Sequence, residues 1–314
     1  MKELIFDANP RLLREYLREQ YPLLSAGGFS RALKNKAILV NGERPAYHTR
    51  LQKGDRIRLY LPAHILGEGE RTAALPFLAA REELAVIYED ENLLVVNKPA
   101  GLLSMGDTPD TLEHRCQLYL YSTGFYNTQA PPRLCHRLDR GTSGLVLVAK
   151  NTPSFDAALA QMNMGHIVKK YVCITTAAPE KPSATLHAHL SKNAKNATVK
   201  VHSTPHGNSR PIETGYEVLG QKNGLCLLQV KLVTGRTHQI RAHMAYIGCP
   251  ILGDGKYGNE KRNRMHHAKY QALCAQQLVF NLPAEYTGPL APLAGQTLYA
   301  PTPWFVTAFE AGTL

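Results

Sequence analysis

The period of the apolar positions changes repeatedly along this chain, and each change marks an element. Leu145-Val146-Leu147-Val148-Ala149 is a continuous apolar run of strand length, the pattern of a buried strand. Leu225 to Leu232 alternates as a strand does. From Thr237 to about Ile247 the period lengthens to that of a helix. Thr237 stands as its N-cap, Gly248 ends it and Pro250 lies just beyond. Ile240, Met244 and Ile247 form one apolar stripe, and His238, Arg241 and Ala245 fall beside it at spacings of three and four. Arg241 is thereby placed at the core edge, where it either finds a carboxylate partner or snorkels to solvent.

The N-terminal pattern is shorter in its repeats. Leu12, Leu13, Tyr16 and Leu17 recur at helical spacing after Pro10, and Ser30 to Lys36 predicts a second short helix. Ile38-Leu39-Val40 reads as a strand closed by the turn pair Asn41-Gly42, and Gly54-Asp55 turns the chain into Ile57 to Leu61. Residues 1–63 are therefore expected to form a small α+β domain. A linker is expected over 64–82, where Gly67-Glu68-Gly69-Glu70 is flexible and acidic, and a larger domain over 83–314. Between 177 and 210, prolines and polar residues suggest turns and loops around Thr185 to Leu190. Residues 258–269, with Lys261, Arg262, Arg264, His266, His267 and Lys269, read as either a basic RNA-contacting loop or a disordered surface turn.

Composition narrows the partners. Thirty-six Lys and Arg against 25 Asp and Glu give a net charge of +11 in 314 residues. Such an excess suits a polyanion, nucleic acid by default, although it also serves simple solubility. The first 60 residues hold 12 of the cations and 6 of the acids, so the small domain carries much of the excess. No apolar run approaches the ~20 residues of a membrane span, and the N-terminus lacks a signal peptide's apolar stretch, so a cytoplasmic protein is expected. The six cysteines include no C-x-x-C pair, which suits reduced, buried thiols, and His238 and His243 stand five apart on the expected helix, not the usual four; no metal is expected.

The chemistry concentrates in His136-Arg137-Leu138-Asp139-Arg140-Gly141-Thr142-Ser143-Gly144, directly before the apolar strand at 145–149. Its glycines and Thr-Ser pair mark a sharp loop. A carboxylate there, between cations, either binds loop N–H groups or stays ionised to act as a nucleophile or base.

This string closely resembles the signature of the RluA-type RNA pseudouridine synthases. The likeness extends to Val86 to Gly101, to Lys169-Lys170-Tyr171, to Thr234-Gly235-Arg236-Thr237-His238-Gln239-Ile240-Arg241-Ala242-His243, and to Gly248 to Asp254. The resemblance implies an α+β fold with a mixed, mainly antiparallel sheet, and the isomerisation of uridine to pseudouridine in RNA without a cofactor. It puts the catalytic aspartate at Asp139, the active-site tyrosine at Tyr171, and at Arg241 the arginine that pairs with Asp139. Arg137 corresponds to the arginine thought to fill the space left by a flipped-out base. Arg236 and His238 join it as candidate RNA contacts, and His136 either positions the loop or contacts phosphate. Relatives commonly carry histidine where this chain has Cys274.

The order of elements in residues 1–63 resembles the alpha-L RNA-binding domain, the type named after ribosomal protein S-four. Arg31, Lys34 and Lys36 would then line a basic helical face, with Asn35 in the left-handed conformation replacing the usual terminal glycine. The expected partner is large-subunit ribosomal RNA, with transfer RNA as the alternative, bound by a monomer without a membrane. Two other classes remain to be weighed. One is an RNA-binding assembly factor with a dead catalytic domain, against which Asp139, Tyr171 and Arg241 together argue. The other is a metal-dependent nuclease, which would lose activity in chelator.

Overall fold

The computed structural model describes residues 1–22, 24, 26–61, 65–66, 75–193 and 198–314. The acidic stretch Gly67 to Glu70 of the expected linker lies outside them. Two compact units are present: Met1–Leu84 with Asp107–Pro132, and Ala85–Gly106 with Arg133–Leu314.

In the first unit, Lys2–Ile5 (β1), Ile38–Val40 (β3) and Arg56–Leu59 (β5) form an antiparallel sheet in the order β1-β5-β3, and Arg11–Leu12 (β2) pairs with Arg50–Leu51 (β4). Helices Leu13–Gln20 (α1) and Ala26–Lys34 (α2) supply Leu13, Leu17, Phe29 and Leu33 to a core shared with Phe6, Ile38, Leu51 and Ile57. Asn41 and Gly42 both take positive φ, 53° and 84°, and close a two-residue turn with Val40 and Glu43 exchanging backbone hydrogen bonds.

The second helix differs from the sequence reading at both ends. It begins at Ala26, because Phe29 belongs to its buried face. It ends with Lys36, not Asn35, in the left-handed region at φ 57°. Ala37 N–H bonds Ala32 O and Lys36 N–H bonds Leu33 O, the pattern of a helix terminus usually closed by glycine. Lys36 therefore lies past the helix, and the expected face of Arg31, Lys34 and Lys36 is not one helical stripe. Arg31 instead lies 4.1 Å over the ring of Tyr119, on Leu112–Ser122 (α3) of the same unit.

The second unit is built on one large sheet. Its strands are Ala85–Glu89 (β6), Leu93–Lys98 (β7), Arg133–Leu134 (β8), Ser143–Ala149 (β9), Ile167–Thr175 (β10), Ser183–Asn193 (β11), Thr198–His202 (β12), Arg210–Lys222 (β13), Leu225–Leu232 (β14), Leu273–Phe280 (β15) and Thr297–Tyr299 (β16). The order is β12-β11-β13-β14-β10-β15-β9-β7-β6, with β16 on β15 and β8 on β9. All pairings are antiparallel except β9 with β15. The region read as turns and loops, 177–210, is corrected. Ser183–Asn193 is an extended strand whose alternate side chains face solvent, so its polar residues hid the period.

Helices Thr152–Asn163 (α4) and Trp304–Glu310 (α7) pack on the central strands, where Ala158, Phe305 and Phe309 join Leu145, Leu147, Val172 and Ile174 in the main core. Helix Gln239–Tyr246 (α5) packs on β11, β12 and β13, and Ala242 joins Leu190, Val201 and Ile212. Residues Glu260–Met265 form a short helix (α6), so the basic segment is not a disordered turn. Among the described residues no helix is long and apolar enough to cross a membrane.

The parallel contact depends on one glycine. Gly144 has φ +112° and sits opposite Ala275, where an added Cβ would collide with the Ala275 backbone. Gly144→Ala is expected to destabilise the protein by roughly 1–3 kcal/mol through backbone strain alone. Chemical denaturation reads this as a lower midpoint at an unchanged slope; an unchanged midpoint would show that β9 and β15 can separate freely.

Candidate active site

Asp139 lies in the loop between β8 and β9, which is anchored from beneath. Ser104 Oγ donates to Leu138 O at 2.7 Å and accepts from Leu138 N–H at 3.0 Å. Thr142 N–H bonds Asp139 O at 3.0 Å, and Gln271 Nε2 donates to Thr142 Oγ1 at 3.0 Å. The ammonium of Lys98, fully buried, donates to the carbonyls of Pro99, Leu102 and Arg140 at 3.0, 2.8 and 3.2 Å. All three of its protons are thus used on backbone carbonyls, which tie the 99–102 segment to Arg140, the residue next to Asp139. Burial pulls the Lys98 pKa down to about 7, and the nearby Asp139 charge opposes that fall.

The loop opens onto a cavity of about 270 Å³, whose walls include Asp139, Tyr171, Arg236, His238 and Arg241. The resemblance assigned Arg241 one carboxylate; the structure gives it two. Its Nη1 donates to Asp139 Oδ2 at 2.8 Å, while Nε and Nη2 donate to Asp254 at 2.7 and 2.9 Å. Asp254 is buried and also accepts from the N–H groups of Lys256 and Tyr257. Burial raises the Asp254 pKa, but the Arg241 hydrogen bonds and charge outweigh it and hold the carboxyl below its ordinary value. Asn263, on α6, fixes the same turn by accepting from Gly253 N–H at 2.7 Å and donating to Asp254 O at 3.1 Å. Asp254 and Asn263 were not singled out as site residues. Their contacts arise through a turn, so neither helical nor strand spacing signals them.

Tyr171 enters from β10 and is buried. Burial, then the Asp139 charge, raises its pKa, so the hydroxyl keeps its proton at neutral pH. His238 Nε2 lies 3.9 Å from Asp139 Oδ2, too far for a hydrogen bond. Its Nδ1 is 2.9 Å from the Tyr257 hydroxyl, which accepts from Val199 N–H at 2.8 Å. The phenol's own proton can therefore go to Nδ1, which favours the tautomer with Nε2–H on the Asp139 side.

The start of α5 is a correction. Thr237 is not the N-cap; His238 holds that position, in the left-handed region at φ 54° and without a side-chain cap. The Gln239 side chain takes over, with Oε1 accepting from Arg236 N–H and Thr234 Oγ1 and Nε2 donating to Glu213 O and Thr214 Oγ1. A non-glycine residue held at positive φ carries strain, and this one faces the cavity.

The remaining sequence-derived residues divide. Arg137 and Arg236 are exposed on the cavity wall. His136 also lines it, but its Nε2 accepts from Leu147 N–H at 3.2 Å, and burial, with Lys169 nearby, pulls its pKa down to about 3. It is a neutral ring that ties the loop to β9. Arg31, Lys34 and Lys36 lie in the first unit. Cys274 is buried in β15, in register with Ser143. Among the described residues no group of three or more His, Cys, Asp or Glu side chains could hold a metal ion.

This site coincides with clear sequence likeness to known proteins. The sequence profile of a family described as RNA pseudouridylate synthase matches residues 92–246. A relative from Rickettsia conorii, named Ribosomal large subunit pseudouridine synthase C, is 35% identical over 291 residues, which cover 88% of this chain and 91% of the relative. A Bacillus subtilis protein, named Uncharacterized RNA pseudouridine synthase YlyB, is 31% identical over 83% of each chain. Among solved structures, Human RNA Pseudouridylate Synthase Domain Containing 4 matches with a TM-score of 0.58 at 24% identity, over 73% of this chain and 93% of the human one, which supports the fold.

Arg241 and Asp254 form a buried pair, so removing one partner strands the other. Arg241→Met is expected to cost about 3–5 kcal/mol of stability at neutral pH. Because the folded Asp254 pKa is depressed, its stabilising contribution is present above the unfolded value, about 3.9, and is lost as pH falls through the folded one. The wild type should therefore lose stability relative to the variant in strong acid. Denaturant titrations at pH 7 and below pH 4 measure the gap, and a gap that does not narrow contradicts the assignment.

Proposed function

The chain belongs to the RluA-type RNA pseudouridine synthases, isomerases that convert uridine to pseudouridine within RNA, and from that premise we propose that Asp139 performs the reaction on uridine in large-subunit ribosomal RNA. The observation that carries this reading is the Asp139–Arg241 hydrogen bond of 2.8 Å, on the wall of a cavity shared with Tyr171. The name of the Rickettsia relative supports the choice of RNA.

The reaction detaches uracil from ribose, turns the base and rejoins it through ring carbon five. The hydrogen on that carbon must leave, and the ring nitrogen freed from the sugar must end with a proton. No redox change occurs. Asp139 serves as an anion, attacking or deprotonating the sugar; both routes begin from the same placement of its carboxylate. Arg241 orients that carboxylate and keeps one donor on it, and Asp254 keeps Arg241 from turning away. Tyr171 offers its ring face to the uracil and a protonated hydroxyl for proton movement.

A base inside folded RNA reaches the cavity only by flipping out, which costs a few kcal/mol. Arg137, exposed beside Asp139, is suited to fill the vacated stack because a guanidinium stacks and donates at once. Arg236 and His238 complete the proposed contacts of the larger unit. Residues 1–63 are proposed as an alpha-L-type RNA-binding domain that supplies grip through Lys34 and Lys36. The protein is proposed to act as a cytoplasmic monomer.

Asp139→Asn keeps size and polarity but removes the anion. It is expected to form no detectable product in single-turnover assays, with RNA affinity changed by less than about tenfold, or ~1.4 kcal/mol. Tyr171→Phe keeps the stacking face and should bind RNA normally but react slowly. Turnover at the wild-type rate in both variants would sink the mechanism. Mapping pseudouridines across total RNA with and without the protein identifies the substrate; changes confined to transfer RNA would overturn the ribosomal assignment.

The grip of the first unit has its own signature. Each phosphate contact removed by Lys34→Ala or Lys36→Ala should flatten the log–log salt dependence of RNA binding by roughly 0.7–0.9. Unchanged slopes in the double variant would mean that this surface does not meet RNA.

A further inference from the structure

Beside the segment that anchors Asp139 lies a second cleft, of about 370 Å³, with a lining distinct from that of the reaction cavity. Its walls combine three kinds of group. Tyr270, Trp304 and Phe305 are aromatic, Asn97 carries an amide, and His267 and Lys269 are exposed at the rim. Trp304, at the start of α7, stays 55% exposed although its ring meets Phe305 edge-on, with centroids 6.0 Å apart. Asn97 adds a half-buried side-chain amide to the same wall. Lys269 Nζ is held 5.5 Å from the Tyr270 ring centroid.

We propose that this cleft binds a nucleotide of the RNA outside the target position, stacking its base against Trp304 and Tyr270 and meeting its phosphate with Lys269 and His267. The inference rests on the RNA-modifying function proposed above. Flat apolar faces, an amide and a cationic rim match a base, its polar edge and its phosphate in turn. A volume of 370 Å³ falls at the small end of ligand sites, where a single nucleotide belongs. Charge favours an anionic occupant, since Lys269 is exposed at the rim and no carboxylate lines the cleft among the described residues.

Position makes the occupant a near neighbour of the reacting uridine. Lys98 lines this cleft, and its ammonium donates to the carbonyl of Arg140, the residue adjoining Asp139. A nucleotide seated here would hold the strand close to the Asp139 loop.

Trp304 is the chain's sole tryptophan, so its emission reports on this cleft. The full-length protein is titrated with short single-stranded oligoadenylate, which contains no uridine, and separately with inorganic phosphate. Oligoadenylate should quench Trp304 and phosphate should not. Lys269→Glu should weaken that binding by about tenfold, or ~1.4 kcal/mol. In single-turnover assays on RNA, Trp304→Leu should raise the half-saturating protein concentration by about tenfold while leaving the maximal rate within about twofold. No quench, an equal quench by phosphate, or an unchanged affinity in Lys269→Glu overturns the proposal. Pseudouridine formation by the wild type is read on the same preparation: product without quench removes the cleft alone, and quench without product removes the functional reading instead.

Discussion

A buried guanidinium shared by two carboxylates governs the geometry of this protein's site. Arg241 is only 6% exposed, and an unpaired charge at that depth would be strongly destabilising. Asp254 meets the need with a two-point contact that also fixes the plane of the guanidinium. One nitrogen is left facing the cavity, and that nitrogen holds Asp139. The same charge thus satisfies the core and aims the cavity carboxylate. The turn carrying Asp254 is in turn clamped by Asn263, so α6 takes part in holding a group it does not touch.

Support and exposure are divided between different residues. Lys98, Ser104, Gln239 and Asp254 are buried and spend their hydrogen-bonding groups on backbone or on neighbouring side chains. Asp139, Arg137 and Arg236 stand in front of them with access to solvent. Such an arrangement limits the reorganisation left for the moment of reaction, because the holders are fixed by packing before RNA arrives. The close approach of β9 to β15 at Gly144 serves the same end, since it sets where the Asp139 loop re-enters the sheet.

Much of this was legible in the chain itself. The boundaries of Leu225–Leu232, the apolar run at 145–149 and the turn at Asn41-Gly42 follow from period and turn chemistry, which act between near neighbours. The nine residues around Asp139 stood out because their order itself resembles a family signature. Ser183–Asn193 was hidden because a strand with one wet face tolerates histidine, serine and lysine. Lys36 was missed because the terminal hydrogen bonds of α2 can impose a left-handed residue without glycine.

What the sequence determined by itself was local and chemical: the elements with a clear period, the excess of positive charge, and the strings of residues that resemble a family signature. What tertiary structure alone decided was which of them meet. Arg241 reaches Asp139 across 102 positions, and Gln239 starts its helix with partners 25 and 26 positions upstream. Asp254 becomes the holder of Arg241 through a turn that has no periodic signature. A pattern along the chain encodes which face of an element is buried, whereas the partner of a buried charge is set by packing between elements distant in sequence.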